Sequence, residues 1–311
     1  MGKLDYVIIN TAATPLRSVT PKSGRNLTVY TQREYRRRTA FTLLEVLVVF
    51  AVISTVVGLS VLGIQAAREH SNRVRCLAHL KNLALAVHLH HDAKKVMPPY
   101  ATGMGDDIFG GWFVHLLPYM GYQDAYDRLV KSQKNSSTGG FFMVSSVDAN
   151  LKGMPFHELR CHSDPSGQAD DQPRTNYLAN WYALTKQKKG PYGLGQPFRE
   201  LEDGPSNVVL FAEGYRACDR VSRIAMQPYP YHNFGLTQKG LPSDDPSYAP
   251  VDYMMFQVKP LNCDKLRTQT AHSAMPVALG DGSSRFVSGS IPASTWKLIL
   301  KPRDGNPDFD W

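Results

Sequence analysis

The sequence predicts an α+β fold: a long N-terminal helix, first transmembrane and then amphipathic, packed on an antiparallel β-sheet domain with loop insertions. Three observations carry this. Residues 41–64 form an apolar run with a single charge, Glu45. Beyond them an amphipathic pattern continues without proline until Pro98-Pro99. After that, short apolar runs alternate with Asp-Gly and proline-rich turns, the pattern of strands rather than of a helical bundle. The expected organisation is a basic leader over 1–40, a membrane span over 41–64, the exported amphipathic half of the same helix over 65–92, and an extracytoplasmic, β-rich globular domain over 93–311.

The leader comes first. Residues 1–40 have no sustained apolar period and hold eight basic side chains against two acidic ones. That accounts for six of the eight net positive charges of the chain. Basicity therefore belongs to the leader and not to a folded surface, which argues against nucleic-acid binding. The following span, at a rise of about 1.5 Å per residue, reaches about 36 Å, enough for a hydrocarbon core of about 30 Å. Arg36-Arg37-Arg38 before it holds the N-terminus in the cytoplasm and sends the rest of the chain across. A secretory signal peptide would be shorter and would end in a small-residue cleavage site. A plain signal anchor fits the length but leaves Glu45 unexplained, since a carboxylate inside the bilayer costs roughly 2.5–3.5 kcal/mol.

Ala40-Phe41-Thr42-Leu43-Leu44-Glu45 resembles the cleavage and methylation signal of type IV prepilins and type II secretion pseudopilins. The resemblance implies cutting between Ala40 and Phe41 by a prepilin peptidase, N-methylation of Phe41 by the same enzyme, and pairing of Glu45 with the terminal amine of a neighbouring pilin-like subunit. It also gives the fold its name, pilin-like. That family usually has Gly before the cut, where this chain has Ala40.

In the amphipathic half, Leu77, Leu80, Ala84, Val87 and His91 are spaced 3, 4, 3 and 4 along one helical face. His88 and His91 share a face and are candidates for a metal, although no third ligand is placed by spacing. A helix C-terminus also favours such side chains for capping.

A second resemblance runs over roughly residues 41–300. Arg68-Glu69, Arg75-Cys76, His79-Leu80-Lys81, Gly111-Trp112, Leu159-Arg-Cys161-His-Ser-Asp164-Pro165, Thr175-Asn176-Tyr177-Leu178, Asp203-Gly204 through Phe211-Ala-Glu213, and His272 nine residues before Asp281-Gly282 occur in one order. They are similar to prepilin-like proteins with a large C-terminal domain of unknown function, sometimes labelled solute-binding. Locally, residues 208–212 read as a buried strand. Residues 276–280 and 285–288 read as a hairpin about Asp281-Gly282, and 292–300 as a helix opened by Pro292. Residues 130–155 and 215–250 read as surface insertions.

Four cysteines, Cys76, Cys161, Cys218 and Cys263, include no C-x-x-C pair, so spacing gives no support for zinc. An even number in an exported domain allows two disulfides with three connectivities; four buried thiols are the alternative. On the matching motifs, Cys76 is expected to bond to Cys161 and Cys218 to Cys263. The first link would close a loop of about 85 residues, worth roughly 4–5 kcal/mol in chain-entropy terms.

His272 and Asp281 invite comparison with an acid–base pair, with Ser273 or Ser283 as nucleophile. Yet no G-x-S-x-G or H-E-x-x-H is present. The expectation is structural: Asp281-Gly282 makes a turn and His272 hydrogen-bonds near strand ends. Asp203 is expected in a turn and Glu213 at a strand terminus. A calcium site from Asp164, Asp203 or Asp281 would need several convergent oxygens that nothing in the sequence brings together. No cofactor, metal or catalytic residue is called for. The function expected is a structural subunit of a type II secretion or type IV pilus-like assembly in the cytoplasmic membrane. The alternatives are a monomeric, membrane-tethered binding module and, behind it, an exported hydrolase.

Overall fold

The computed structural model describes residues 41–100, 108, 110–134, 151–154, 156–166, 173–186, 194–218, 221–222, 233–234, 254–264 and 267–305. The leader, Ala40 included, lies outside them, as does most of the two expected insertions. The chain divides into two compact units, Met1–Val61 and Leu62–Trp311.

Helix α1 runs over Leu43–Lys94, two residues on from the expected 41–92 at each end. Its N-terminus is closed by a capping box: Thr42 N–H donates to Glu45 Oε2 at 2.8 Å, and Glu45 N–H donates to Thr42 Oγ1 at 3.3 Å. Every side chain from 41 to 64 is exposed. This stretch is long and apolar enough to cross a membrane.

The second unit is built on a sheet. The strands are β1 (Tyr177–Asn180), β2 (Thr185–Lys186), β3 (Leu194–Gly195), β4 (Val209–Glu213), β5 (Ala217–Cys218), β6 (Val221–Ser222), β7 (Asn233–Phe234), β8 (Met255–Phe256), β9 (Gln269–Thr270), β10 (Ala274–Leu279) and β11 (Ser284–Ser288). The main sheet has the order β11-β10-β4-β1-β7. The first four are antiparallel neighbours, and two-residue β7 joins the edge in parallel. The strand expected over 208–212 is β4, and the expected hairpin is β10–β11. Gly282 takes φ +84° in its turn, where a side chain would be strained.

Both faces of the sheet are covered. Leu80, Leu83, Ala84 and Val87 of α1 share one core with Tyr177, Ala179, Leu210 and Phe211 of the sheet. Trp112, Phe113 and Leu116 of the short helix α2 (Trp112–Leu116) complete it. On the other side, Leu178, Val209, Val277, Leu279 and Val287 pack with Trp296, Ile299 and Leu300. The last three belong to the C-terminal helix Ala293–Leu300, the helix expected over 292–300. This two-sided burial explains why 208–212 is a continuous apolar run and not an alternating one.

The buried face of α1 is turned slightly from the one expected. Leu80, Ala84 and Val87 are buried, but Leu77 and His91 are only half-buried, and Cys76, Leu83 and His90 take the inner positions. His88 stacks on Phe198 and His91 packs against the same ring at a tilt, with centroids 4.4 and 4.7 Å away. Those two imidazoles pack as aromatics, and no described acid or thiol joins them in a ligand group.

Packing at this end has a pH consequence. His115, on α2, has its pKa lowered to about 3, first by burial and then by His90 and Lys94. A depressed histidine keeps full stability above its unfolded pKa of about 6.5 and loses it as pH falls below that value. Part of the side chain still meets solvent, so the loss between pH 7.5 and pH 5 is set at about 1 kcal/mol rather than the full shift. Urea unfolding at the two pH values should show it, and His115→Gln should shrink the difference. An unchanged difference in the variant would refute the assignment.

Candidate functional site

Two places carry the residues singled out by the sequence. The first is the start of α1. Phe41 is 83% exposed, and Glu45, four residues on, is engaged by Thr42 through both N–H and Oγ1, the latter at 3.0 Å. Within one chain, then, Glu45 is a capping carboxylate. Its exposure leaves it open to a cation from another chain.

The second place is buried in the Leu62–Trp311 unit. Four segments far apart in sequence meet there. Helix α1 supplies Cys76 and, two turns earlier, Glu69. The loop after a single helical turn at His157–Leu159 supplies Cys161. Strand β4 ends on Glu213, and the bend between β9 and β10 supplies His272. Cys76, Glu213 and His272 are fully buried and Cys161 is 2% exposed.

His272 is the hub. Its Nδ1 lies 2.6 Å from Glu69 Oε1, so the ring donates there and turns Nε2 inward. Nε2 sits 3.4 Å from the sulfur of Cys76, 3.4 Å from that of Cys161, and 3.7 Å from Glu213 Oε2. One ligand atom from each of Cys76, Cys161, Glu213 and His272 lies within 4.8 Å of the other three. Thr270 Oγ1 donates to Glu213 Oε2 at 2.9 Å. The other oxygen, Oε1, is buried with no hydrogen-bond partner.

The electrostatics are those of several charges in one small space. The Cys76 thiol is pulled down to about 5, chiefly by its hydrogen bond with Cys161 and, against burial, by His272. Cys161 is pushed up by that same bond and by burial. Burial opposes protonation of His272, but Cys76, Glu213 and Glu69 prevail and raise it to about 9. Burial raises Glu213 to about 8.

The backbone around the cluster is fixed by Asn176, just before β1. Its Oδ1 accepts from Cys161 N–H at 2.8 Å, and its Nδ2 donates to Gly214 O at 3.0 Å and Asp164 Oδ2 at 2.6 Å. Asp164 also accepts from Arg216 N–H at 2.9 Å and Ser166 N–H at 2.8 Å. Asp203 accepts from the amides of Asp304 and Gly305, and Asp281 from Ser283 N–H. Each of the three aspartates considered for calcium serves its own stretch of backbone.

The cysteine expectation is half corrected. Cys218 and Cys263 are joined, with Cα atoms 5.7 Å apart. Cys76 and Cys161 are not bonded to each other but are separate, buried thiols. The physical reason is the imidazole equidistant from both sulfurs, which makes them members of a four-residue cluster. Glu213 does end a strand, but buried in this cluster. His272 and Asp281 part company: they lie beyond opposite ends of β10, and a six-residue strand alone covers roughly 20 Å. They form no acid–base pair. Among the described residues, His272's partner carboxylates are Glu69 and Glu213.

Spacing did not reveal the cluster, since His272 lies 196 and 111 residues from the two cysteines. The available signal was different: Glu69, Cys76, Cys161, Glu213 and His272 each fall in a separate piece of the ordered motif set.

Comparison with curated proteins and with solved structures gives no match. Residues 35–61 match the prokaryotic N-terminal methylation motif, a span that includes Ala40, Phe41 and Glu45. Residues 65–294, most of the chain and all of the buried cluster, match the family described as "Protein of unknown function (DUF1559)", and the chain belongs to that family.

Proposed function

We propose that the protein is a structural, pilin-like subunit of a type II secretion or type IV pilus-like assembly. In this reading a prepilin peptidase cuts before Phe41 and methylates it. The first part of α1 anchors the mature chain in the cytoplasmic membrane, and the domain beyond lies outside the cytoplasm. The single observation that carries the reading is the methylation motif over residues 35–61, set on a helix start whose apolar side chains are all exposed. Glu45 supports it: a carboxylate at membrane depth is tolerable when a cation from another subunit offsets it. A catalytic role is disfavoured by burial. Cys76, His272 and Glu69 stand in the order of a nucleophile, base and orienting acid, but the sulfur and the ring are both enclosed.

Intact mass of the protein from membranes is expected to correspond to a chain starting at N-methylated Phe41. A mature chain that still carries Met1 refutes processing. Glu45→Ala is expected to leave membrane insertion unchanged and to weaken subunit association by about 3 kcal/mol, roughly a hundredfold. Crosslinking in membranes reads this as loss of the oligomer ladder. A monomer band alone in the wild type would favour a tethered, solitary module instead.

A further inference from the structure

We infer that Cys76, Cys161, Glu213 and His272 are the four ligands of a structural zinc ion. The distances suit a tetrahedral centre. With zinc–sulfur bonds of about 2.3 Å and zinc–nitrogen bonds of about 2.0–2.1 Å, tetrahedral angles put nitrogen and sulfur about 3.5 Å apart. His272 Nε2 is 3.4 Å from each sulfur. A plain hydrogen-bond network gives one ring nitrogen no reason to sit equally far from two thiols with a carboxylate oxygen also at 3.7 Å.

The surroundings match what a metal ligand needs. Glu69 holds Nδ1 of His272 and so orients Nε2 toward the centre, the carboxylate–histidine arrangement found behind metal sites. Thr270 holds one oxygen of Glu213, and the other is buried and unpaired. A divalent cation at this point would offset the two thiolates and the carboxylate that coordination requires, inside a space that otherwise disfavours such charges. Two sulfurs, one imidazole and one carboxylate exclude calcium and magnesium, which take oxygen ligands, and favour zinc among the first-row metals.

All four coordination positions come from the protein and all are buried, so the centre is closed: it ties segments together and does not activate water. It joins α1, the Cys161 loop, the end of β4 and the entry to β10. In an exported domain this is a different solution from a Cys76–Cys161 disulfide, because it also engages Glu213 and His272.

The test uses the full chain, purified from membranes in detergent without a polyhistidine tag, and excludes air from the moment of lysis. Metal analysis is expected to find about one zinc per chain. Chelation followed by Co2+ should give the strong visible bands of a tetrahedral site together with thiolate-to-cobalt charge transfer. Alkylation of Cys76 and Cys161 should require prior chelation. Cys76→Ser, Cys161→Ser and His272→Gln should each lower metal affinity at least tenfold. The cobalt spectrum of the wild type decides the matter even where a variant fails to fold. Failure of the metal-free wild type to take Co2+, a weak octahedral spectrum, or a Cys76–Cys161 disulfide in protein alkylated before lysis overturns the assignment.

Discussion

Asn176→Ala is expected to destabilise the Leu62–Trp311 unit by about 4 kcal/mol, among the largest effects of any single side chain here. The side chain is fully buried and uses both ends. Truncation leaves the Cys161 N–H and the Gly214 carbonyl without the partners they now have at 2.8 and 3.0 Å. It also takes a donor from Asp164. Leaving a buried polar group unpaired costs about 1–3 kcal/mol each, more when it is charged. The polar groups beside it are already committed: Asp164 accepts from Arg216 and Ser166, and the Gly214 N–H donates to the Asn176 carbonyl. Asn176→Asp keeps the acceptor for Cys161 but sets a second carboxylate beside Asp164, so rescue should be slight. Urea unfolding of the full chain measures the difference; a loss below about 1 kcal/mol would mean that water replaces the side chain and that Asn176 does not hold the Cys161 loop.

Asn176 also illustrates what a sequence can and cannot convey here. Thr175-Asn176-Tyr177-Leu178 stood out as a motif, but its job is to join three strands of backbone that are distant along the chain. The long helix was legible because it rests on local facts: an apolar run of membrane length, then a helical repeat with no proline before Pro98. Strand β4, the β10–β11 hairpin with its Asp-Gly turn, and the final helix behind Pro292 were legible for the same reason. Three features were not. The inner face of α1 was expected on Leu77 and His91, yet Cys76 and His90 point inward, because a 3-4 repeat defines a stripe only to within about one residue. The cover of the second sheet face by Trp296, Ile299 and Leu300 was not named by the sequence, since the continuous apolar run of β4 signals burial on both sides without saying what supplies it. The Cys76–Cys161–Glu213–His272 cluster depends on four turns of topology that no pairwise spacing encodes. Reading an even cysteine count as disulfides found one bond and misassigned the other pair, because composition does not show that an imidazole and a carboxylate share the space.

The other large effect comes from a residue without a side chain. Gly195→Ala is expected to cost about 4 kcal/mol, although its backbone conformation is open to any residue. A methyl group at Gly195 would lie 1.8 Å from the carbonyl oxygen of Met97 and 3.0 Å from its carbon. That obstacle is backbone and cannot rotate aside. It belongs to the segment that leaves α1, where Met97, Pro98 and Pro99 are all buried. Making room means moving that segment away from β3, and this breaks the bond from Met97 N–H to Gln196 O at 2.9 Å. Gln196 is itself held on several sides. Its N–H donates to Leu184 O, its side chain donates to the carbonyls of Tyr182 and Ala183, and Arg303 donates to its Oε1. Displacement therefore cannot be absorbed on the β3 side either. Overpacking typically costs about 1–3 kcal/mol, and buried amide and carbonyl groups left unpaired add about 1–3 kcal/mol more. The neighbouring Leu194→Ala provides the control: Leu194 is 58% exposed, and its loss should stay within about 0.5 kcal/mol. Equal effects from the two substitutions in urea unfolding would show that the contact between β3 and the end of α1 yields freely, and would remove the steric argument.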